Sequence, residues 1–106
     1  MQITHESYED RLVLHYCGEL DHHAARQAMD YAENLAVLYP SVRFMLDLSG
    51  LTFMDSSGLA VVLNLYRILQ RSGRTMAVYG CPKQPLRVFQ AAGIPKIIPF
   101  EEEVTC

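Results

Sequence analysis

The chain has 106 residues, half of them apolar and a fifth charged, with a formal net charge of −3. That length holds one core and not two, giving a single domain over residues 1–106, and an acidic balance without a Lys/Arg cluster argues against a direct nucleic-acid partner. Every apolar run stops short of the roughly 18 residues that a membrane span needs, and Met1 to Glu6 lacks a basic segment followed by an apolar one, so a cytoplasmic protein with no membrane partner is expected.

In chain order, Gln2 to Ser7 reads as a short edge strand and Tyr8-Glu9-Asp10 as a turn. Arg11 to Cys17 alternates, with Leu12, Leu14 and Tyr16 toward the core and Val13, His15 and Cys17 away from it. Gly18-Glu19-Leu20 leads out of that strand, and Asp21 is placed to cap a helix that runs to about Tyr39 and is stopped by Pro40. Ala25, Ala28, Met29, Ala32, Leu35, Ala36 and Tyr39 form its apolar stripe. Val42 to Leu48 is the next strand, with Phe44, Leu46 and Leu48 on one side and Arg43, Met45 and Asp47 on the other, so only one side of the sheet reads as dry.

A helix from about Ser57 to Arg71 follows, ended by Ser72-Gly73, where glycine supplies a left-handed residue. Leu59, Val62, Leu63, Tyr66 and Leu69 suffice to dock it on a sheet. Val61, Leu65 and Ile68 widen the apolar surface, either for burial against neighbouring helices or as an exposed strip. Thr75 to Tyr79 reads as a strand, Pro85 to Ala92 as a short helix terminated by Gly93, and Lys96 to Phe100 as a last strand. Strands that alternate with helices after an opening hairpin give an α/β domain with a mixed sheet.

The stretch Phe53-Met54-Asp55-Ser56-Ser57-Gly58-Leu59 stands at the strand-to-helix junction. Unpaired N–H groups and the positive end of the helix dipole favour an anionic group there, whether a side chain, a bound phosphate or a phosphoserine. Catalysis is poorly supported: the Gly-x-Ser-x-Gly elbow is absent, and Asp47 and Asp55 do not reproduce the acidic arrangement of a phosphoryl-accepting receiver. The adjacent His22 and His23 point about 100° apart on a helix and rarely share one ion, so neither a metal nor a cofactor is expected. Cys17, Cys81 and Cys106 lack paired spacing and read as free thiols. What remains is a serine presented for another protein to modify, with Asp21 brought near Asp55 because both begin helices at the same ends of adjacent strands.

Gly18-Glu19-Leu20-Asp21-His22-His23, Leu51 through Leu59 and Ala91-Ala92-Gly93-Ile94-Pro95-Lys96-Ile97-Ile98 resemble the sporulation-type anti-sigma-factor antagonists of the STAS domain family, over nearly the whole chain. The resemblance implies a four- to five-stranded mixed β-sheet with helices packed on one face. It also implies a non-enzymatic regulator of transcription that binds an anti-sigma factor, itself a serine kinase, and so releases the sigma factor. The kinase switches the antagonist off by phosphorylating the serine after the motif's aspartate, here Ser56, and a serine phosphatase reverses this. Asp21, His22, Asp55, Ser57, Gly58, Val61 and Leu65 are then the partner-binding residues. Ala60 departs from the glycine frequent in close relatives, and Pro82 and Pro85 bracket the last helix differently. A small-ligand or nucleotide-binding STAS module is the alternative.

Overall fold

The computed structural model describes residues 1–40 and 42–101. The elements are β1 (Gln2–Ser7), β2 (Arg11–Leu20), α1 (Ala25–Leu38), β3 (Arg43–Asp47), β4 (Leu51–Met54), α2 (Ser56–Arg71), β5 (Met76–Tyr79), α3 (Lys83–Ala91), a 3-10 turn at Ile94–Lys96, and β6 (Phe100–Glu101). Five strands lie in the order β1-β2-β3-β5-β6, and β4 joins the sheet through β2. The opening hairpin is antiparallel and the remaining pairings are parallel, so the sheet is mixed, with helices packed on one face as expected.

The alternation in β2 does what its period of two requires: Leu12, Leu14 and Tyr16 are fully buried beneath the helices. They meet Ala28, Ala32 and Leu35 of α1 and Val61, Val62, Leu65 and Leu69 of α2 in one apolar core. The alanines of α1 leave the space that Tyr16 fills, and its hydroxyl donates to the Ala28 carbonyl at 2.8 Å, so the buried polar group is satisfied. At the far end of α1, the Arg74 guanidinium donates to the carbonyls of Ala36, Tyr39 and Val42 and lies over the Phe44 ring. It thereby serves carbonyls that a helix end leaves without partners.

Four expectations need correction. Gly18-Glu19-Leu20 does not leave the strand: β2 continues to Leu20 through a shift in register after Gly18, whose φ of 104° suits glycine. That extra length recruits β4 as a fourth parallel pairing, which the lack of alternation in Leu51–Met54 hides: Asp47 of β3 faces His15, and Leu51 of β4 takes over opposite Gly18. The sheet therefore has six strands among the described residues, not four or five. Lys96 to Phe100 is not a strand. Ile94 and Ile98 are both buried at helical spacing, joined by an Ile98 N–H to Ile94 carbonyl bond of 2.9 Å, and only Phe100–Glu101 pairs with β5. Finally, the sheet face away from the helices is not simply wet. Val13, Met45, Ala77 and Tyr79 form a second, small buried cluster there.

Helix limits follow the local chemistry. Gly73 ends α2 at a φ of 71° and Gly93 ends α3 at 73°, both in the left-handed region that glycine enters at little cost. Asp21 caps the turn that enters α1 rather than the helix itself. Its Oδ1 accepts from the N–H groups of His23 (3.0 Å) and Ala24 (3.1 Å), and regular helix begins at Ala25.

Gln84, in the first turn of α3, fastens that helix to β4. Its Oε1 accepts the Met54 N–H at 2.9 Å and its Nε2 donates to the Met54 carbonyl at 2.8 Å, as a neighbouring strand would. Gln84→Ala leaves both backbone groups without their partner and is expected to lower stability by about 1–2 kcal/mol, measured by denaturant unfolding. Gln84→Glu, which keeps the size but loses the donor, should recover only part of the loss.

Candidate functional site

β2 and β4 run parallel, so their carboxyl ends lie side by side and each launches a helix-forming turn. Leu20 pairs with Met54, which brings the Asp21 turn against the start of α2. Asp55 holds the two together. Its Oδ1 accepts from the N–H groups of Ser57 (2.9 Å) and Gly58 (3.2 Å), capping α2, while its Oδ2 accepts the His22 N–H at 3.2 Å. The Asp55 backbone carbonyl takes the next donor, Leu59 N–H, at 3.1 Å.

The anionic group favoured at this helix start is thus the Asp55 carboxylate itself, and the three donors after Ser56 are engaged. A phosphate of a bound ligand would have to displace Asp55 to use them. Ser56, the first residue of α2, is exposed, whereas Ser57 is half-buried and Gly58 fully so. Gly58 is required by space: a Cβ there would lie 2.4 Å from the Leu20 carbonyl oxygen and 2.6 Å from the Met54 side chain. This close approach fixes the start of α2 at the ends of β2 and β4, with Ser56 exposed there.

Asp55 therefore joins His22, Ser57 and Gly58 through its carboxylate, with Ser56 beside it in the chain and Asp21 next to His22. Val61 and Leu65 are not an exposed strip. They are 4% and 1% exposed and pack in the core with α1, because α1 lies over that side of α2. Val61 still forms part of the floor of an open groove of about 570 Å³ between α1 and α2, lined by His22, Ala25, Arg26, Met29, Ser57, Ala60, Val61, Asn64 and Arg67. Leu65 is not among the residues that line it.

Sequence reading missed the groove's arginines and the exposed Phe53. Ser57, Ala60, Val61, Asn64 and Arg67 recur at spacings of three and four, so the groove face of α2 was open to reading. That Arg26 of α1 would stand beside it depends on how the helices pack. Phe53 is 40% exposed on β4, close in sequence to Ser56. Cys17 and Cys81 are free thiols, burial pushing Cys81 up to about 12 and so keeping it protonated and unreactive; Cys106 lies outside the described residues. No helix among the described residues is long and apolar enough to cross a membrane.

A mixed sheet covered by helices on one face, with a capped serine motif where β4 meets α2, is the arrangement of a STAS domain. The STAS domain family model matches residues 2–105, and the chain belongs to that family. It is 32% identical over 105 residues to an anti-sigma F factor antagonist of Paenibacillus polymyxa, covering 98% of this chain and 90% of that one. A second anti-sigma F factor antagonist, from Lysinibacillus sphaericus, is 37% identical over 87 residues, covering 80% and 73%. Among solved structures, the phosphorylated form of the Bacillus cell fate determinant SpoIIAA matches with a TM-score of 0.73 at 29% identity, covering 98% of this chain and 92% of that one.

Proposed function

We propose that this chain is a cytoplasmic, non-enzymatic anti-sigma-factor antagonist whose switch is Ser56. The unmodified protein binds an anti-sigma factor that is a serine kinase and frees the sigma factor. The kinase then moves the γ-phosphoryl group of ATP to Ser56 Oγ, the hydroxyl proton leaves and ADP departs. The phosphorylated chain no longer binds, and a serine phosphatase restores it by hydrolysis. The observation that carries this reading is the exposed hydroxyl of Ser56 beside a helix start whose next donors are already taken by Asp55. Charge added at Ser56 has no waiting seat in the fold and is presented outward, next to Asp55 in the chain.

Two features of the names of relatives support it: they are anti-sigma factor antagonists, and one is known in a phosphorylated form. The docking surface is taken to comprise Asp21, His22, Asp55, Ser57 and the Val61 floor of the α1/α2 groove, with the buried Gly58 letting α2 approach closely enough to present them. Incubating the protein with the cognate anti-sigma kinase and ATP, followed by mass spectrometry, should find a single phosphate on Ser56. Phosphate at another residue, or a Ser56→Ala variant that still accepts it, would overturn the assignment.

The groove itself, with Arg26 and Arg67 among its lining residues, favours one second reading, a module that takes a small anionic ligand such as a nucleotide. A saturable rise in thermal stability on titrating ATP or GTP into the isolated protein would support that reading instead.

A further inference from the structure

On the sheet face away from the helices, β2 presents Arg11, Val13, His15 and Cys17, flanked by Thr4 and Glu6 of β1 and by Arg43, Met45 and Asp47 of β3. His15 is held from both sides. Its Nδ1 is 2.7 Å from Asp47 Oδ2 and its Nε2 is 2.8 Å from Glu6 Oε1. A neutral imidazole has one N–H, so it can donate to only one of these carboxylates and must turn a lone pair toward the other. Only the imidazolium satisfies both. The carboxylates differ in freedom: Asp47 is 16% exposed and its Oδ1 also accepts the Ser49 N–H at 3.0 Å, whereas Glu6 is 58% exposed on the edge strand.

We propose that Glu6, His15 and Asp47 form a proton-controlled clamp on edge strand β1, closed while His15 is an imidazolium and released at Glu6 when it loses its proton. In the neutral state His15 keeps its Nδ1–H on Asp47, and Glu6 Oε1 turns to water while its Oε2 keeps the Tyr8 hydroxyl, which donates to it at 3.3 Å. The other charged or titratable groups of this face frame the balance. Arg11 and Arg43 oppose the imidazolium, but Arg11 is paired with Asp10 at 3.0 Å and lies over the Tyr8 ring. Tyr79 stands opposite Asp47 on β5, with Glu101 paired beyond it on β6, and burial and the nearby Glu101 push the Tyr79 hydroxyl up. Cys17 completes the face on β2.

Against burial, the hydrogen bonds among the three groups all act in the same direction, toward the charged forms. Burial pushes His15 down, but hydrogen bonds to Glu6 and Asp47 and their charges outweigh it, leaving the group above its ordinary 6.5. Burial likewise pushes Asp47 up, yet the Ser49 N–H and His15 hold it below 3.8; the hydrogen bond to His15 holds Glu6 below 4.5. A raised histidine contributes stability that is fully present below 6.5 and is lost as pH rises through the folded value. The lowered carboxylates lose theirs only as pH falls through their depressed values. The clamp is closed in mildly acid solution and opens toward alkaline pH.

The test is a histidine NMR titration of the whole chain between about pH 5 and 9, with hydrogen exchange at the β1 amides followed in parallel. His15 should titrate above the ordinary histidine value of 6.5, and protection of the Thr4 and Glu6 amides, which face β2 in the ladder, should fall through the same midpoint. Each unit by which the midpoint is raised corresponds to about tenfold in the opening equilibrium. Glu6→Gln should lower the His15 midpoint and make β1 protection insensitive to pH in this range. A His15 midpoint at or below 6.5, or Thr4 and Glu6 protection with no step at the His15 midpoint, would overturn the clamp. Because wild-type resonances carry the reading, a His15 variant that fails to fold does not affect it.

Discussion

Ser56→Asp is expected to weaken binding to the anti-sigma factor by roughly tenfold or more, since a misplaced like charge at an interface costs several kcal/mol and about 1.4 kcal/mol is tenfold. Thermal stability should stay nearly unchanged. The side chain is exposed, and a negative charge in the first turn of α2 is mildly favoured by the helix dipole, by about 0.3–1 kcal/mol, which offsets repulsion from Asp55. Aspartate adds one unit of charge where phosphate adds about 1.5 to 2, so the phosphorylated protein should bind more weakly still. Isothermal calorimetry on the three forms, with melting curves beside it, checks both halves. Equal affinity for wild type and Ser56→Asp would remove the charge mechanism, while a large fall in melting temperature would mean that Ser56 is structural.

Gly58→Ala should be the most damaging single-methyl change near the site. Alanine is the better helix former by about 1 kcal/mol, but the added carbon would stand 2.4 Å from the Leu20 carbonyl oxygen and 2.6 Å from Met54 Cγ. Met54 can adjust; a carbonyl in a paired strand cannot. Overpacking of this kind costs about 3 kcal/mol, so a net loss of about 2 kcal/mol is expected, or roughly 10 °C in melting temperature for a domain of this size. Gly73→Ala is the control, because a Cβ there meets nothing within 4 Å and only the left-handed φ is strained. Unfolding curves in which the two variants lose equally would show that the Leu20 contact yields.

These two residues also show what a sequence can convey. Asp55-Ser56-Ser57-Gly58 is legible because capping chemistry is local: an acceptor followed by helix-compatible residues marks a helix start wherever it occurs. Gly73 and Gly93 are legible for the same reason. The proximity of Asp21 to Asp55 followed from topology, once parallel strands were inferred. β4 was not legible, since four residues with Thr52 and Phe53 both outward lack alternation, and it exists because β2 is long enough to pair it. Nor was the burial of Val61 and Leu65, which depends on α1 crossing α2 on that side. The His15 clamp joins residues from three strands, and each of them alone reads as an ordinary polar position.

The carboxamide of Gln84 engages both backbone groups of Met54, the last residue of β4 before the serine motif. An open strand edge at that position would be a template on which another chain could lay a strand of its own. With the edge engaged at Met54, the partner proposed for Ser56 would have to recognise side chains and helix ends there. Recognition by side chains can be cancelled by one added phosphate, whereas a ladder of backbone bonds would be largely indifferent to it.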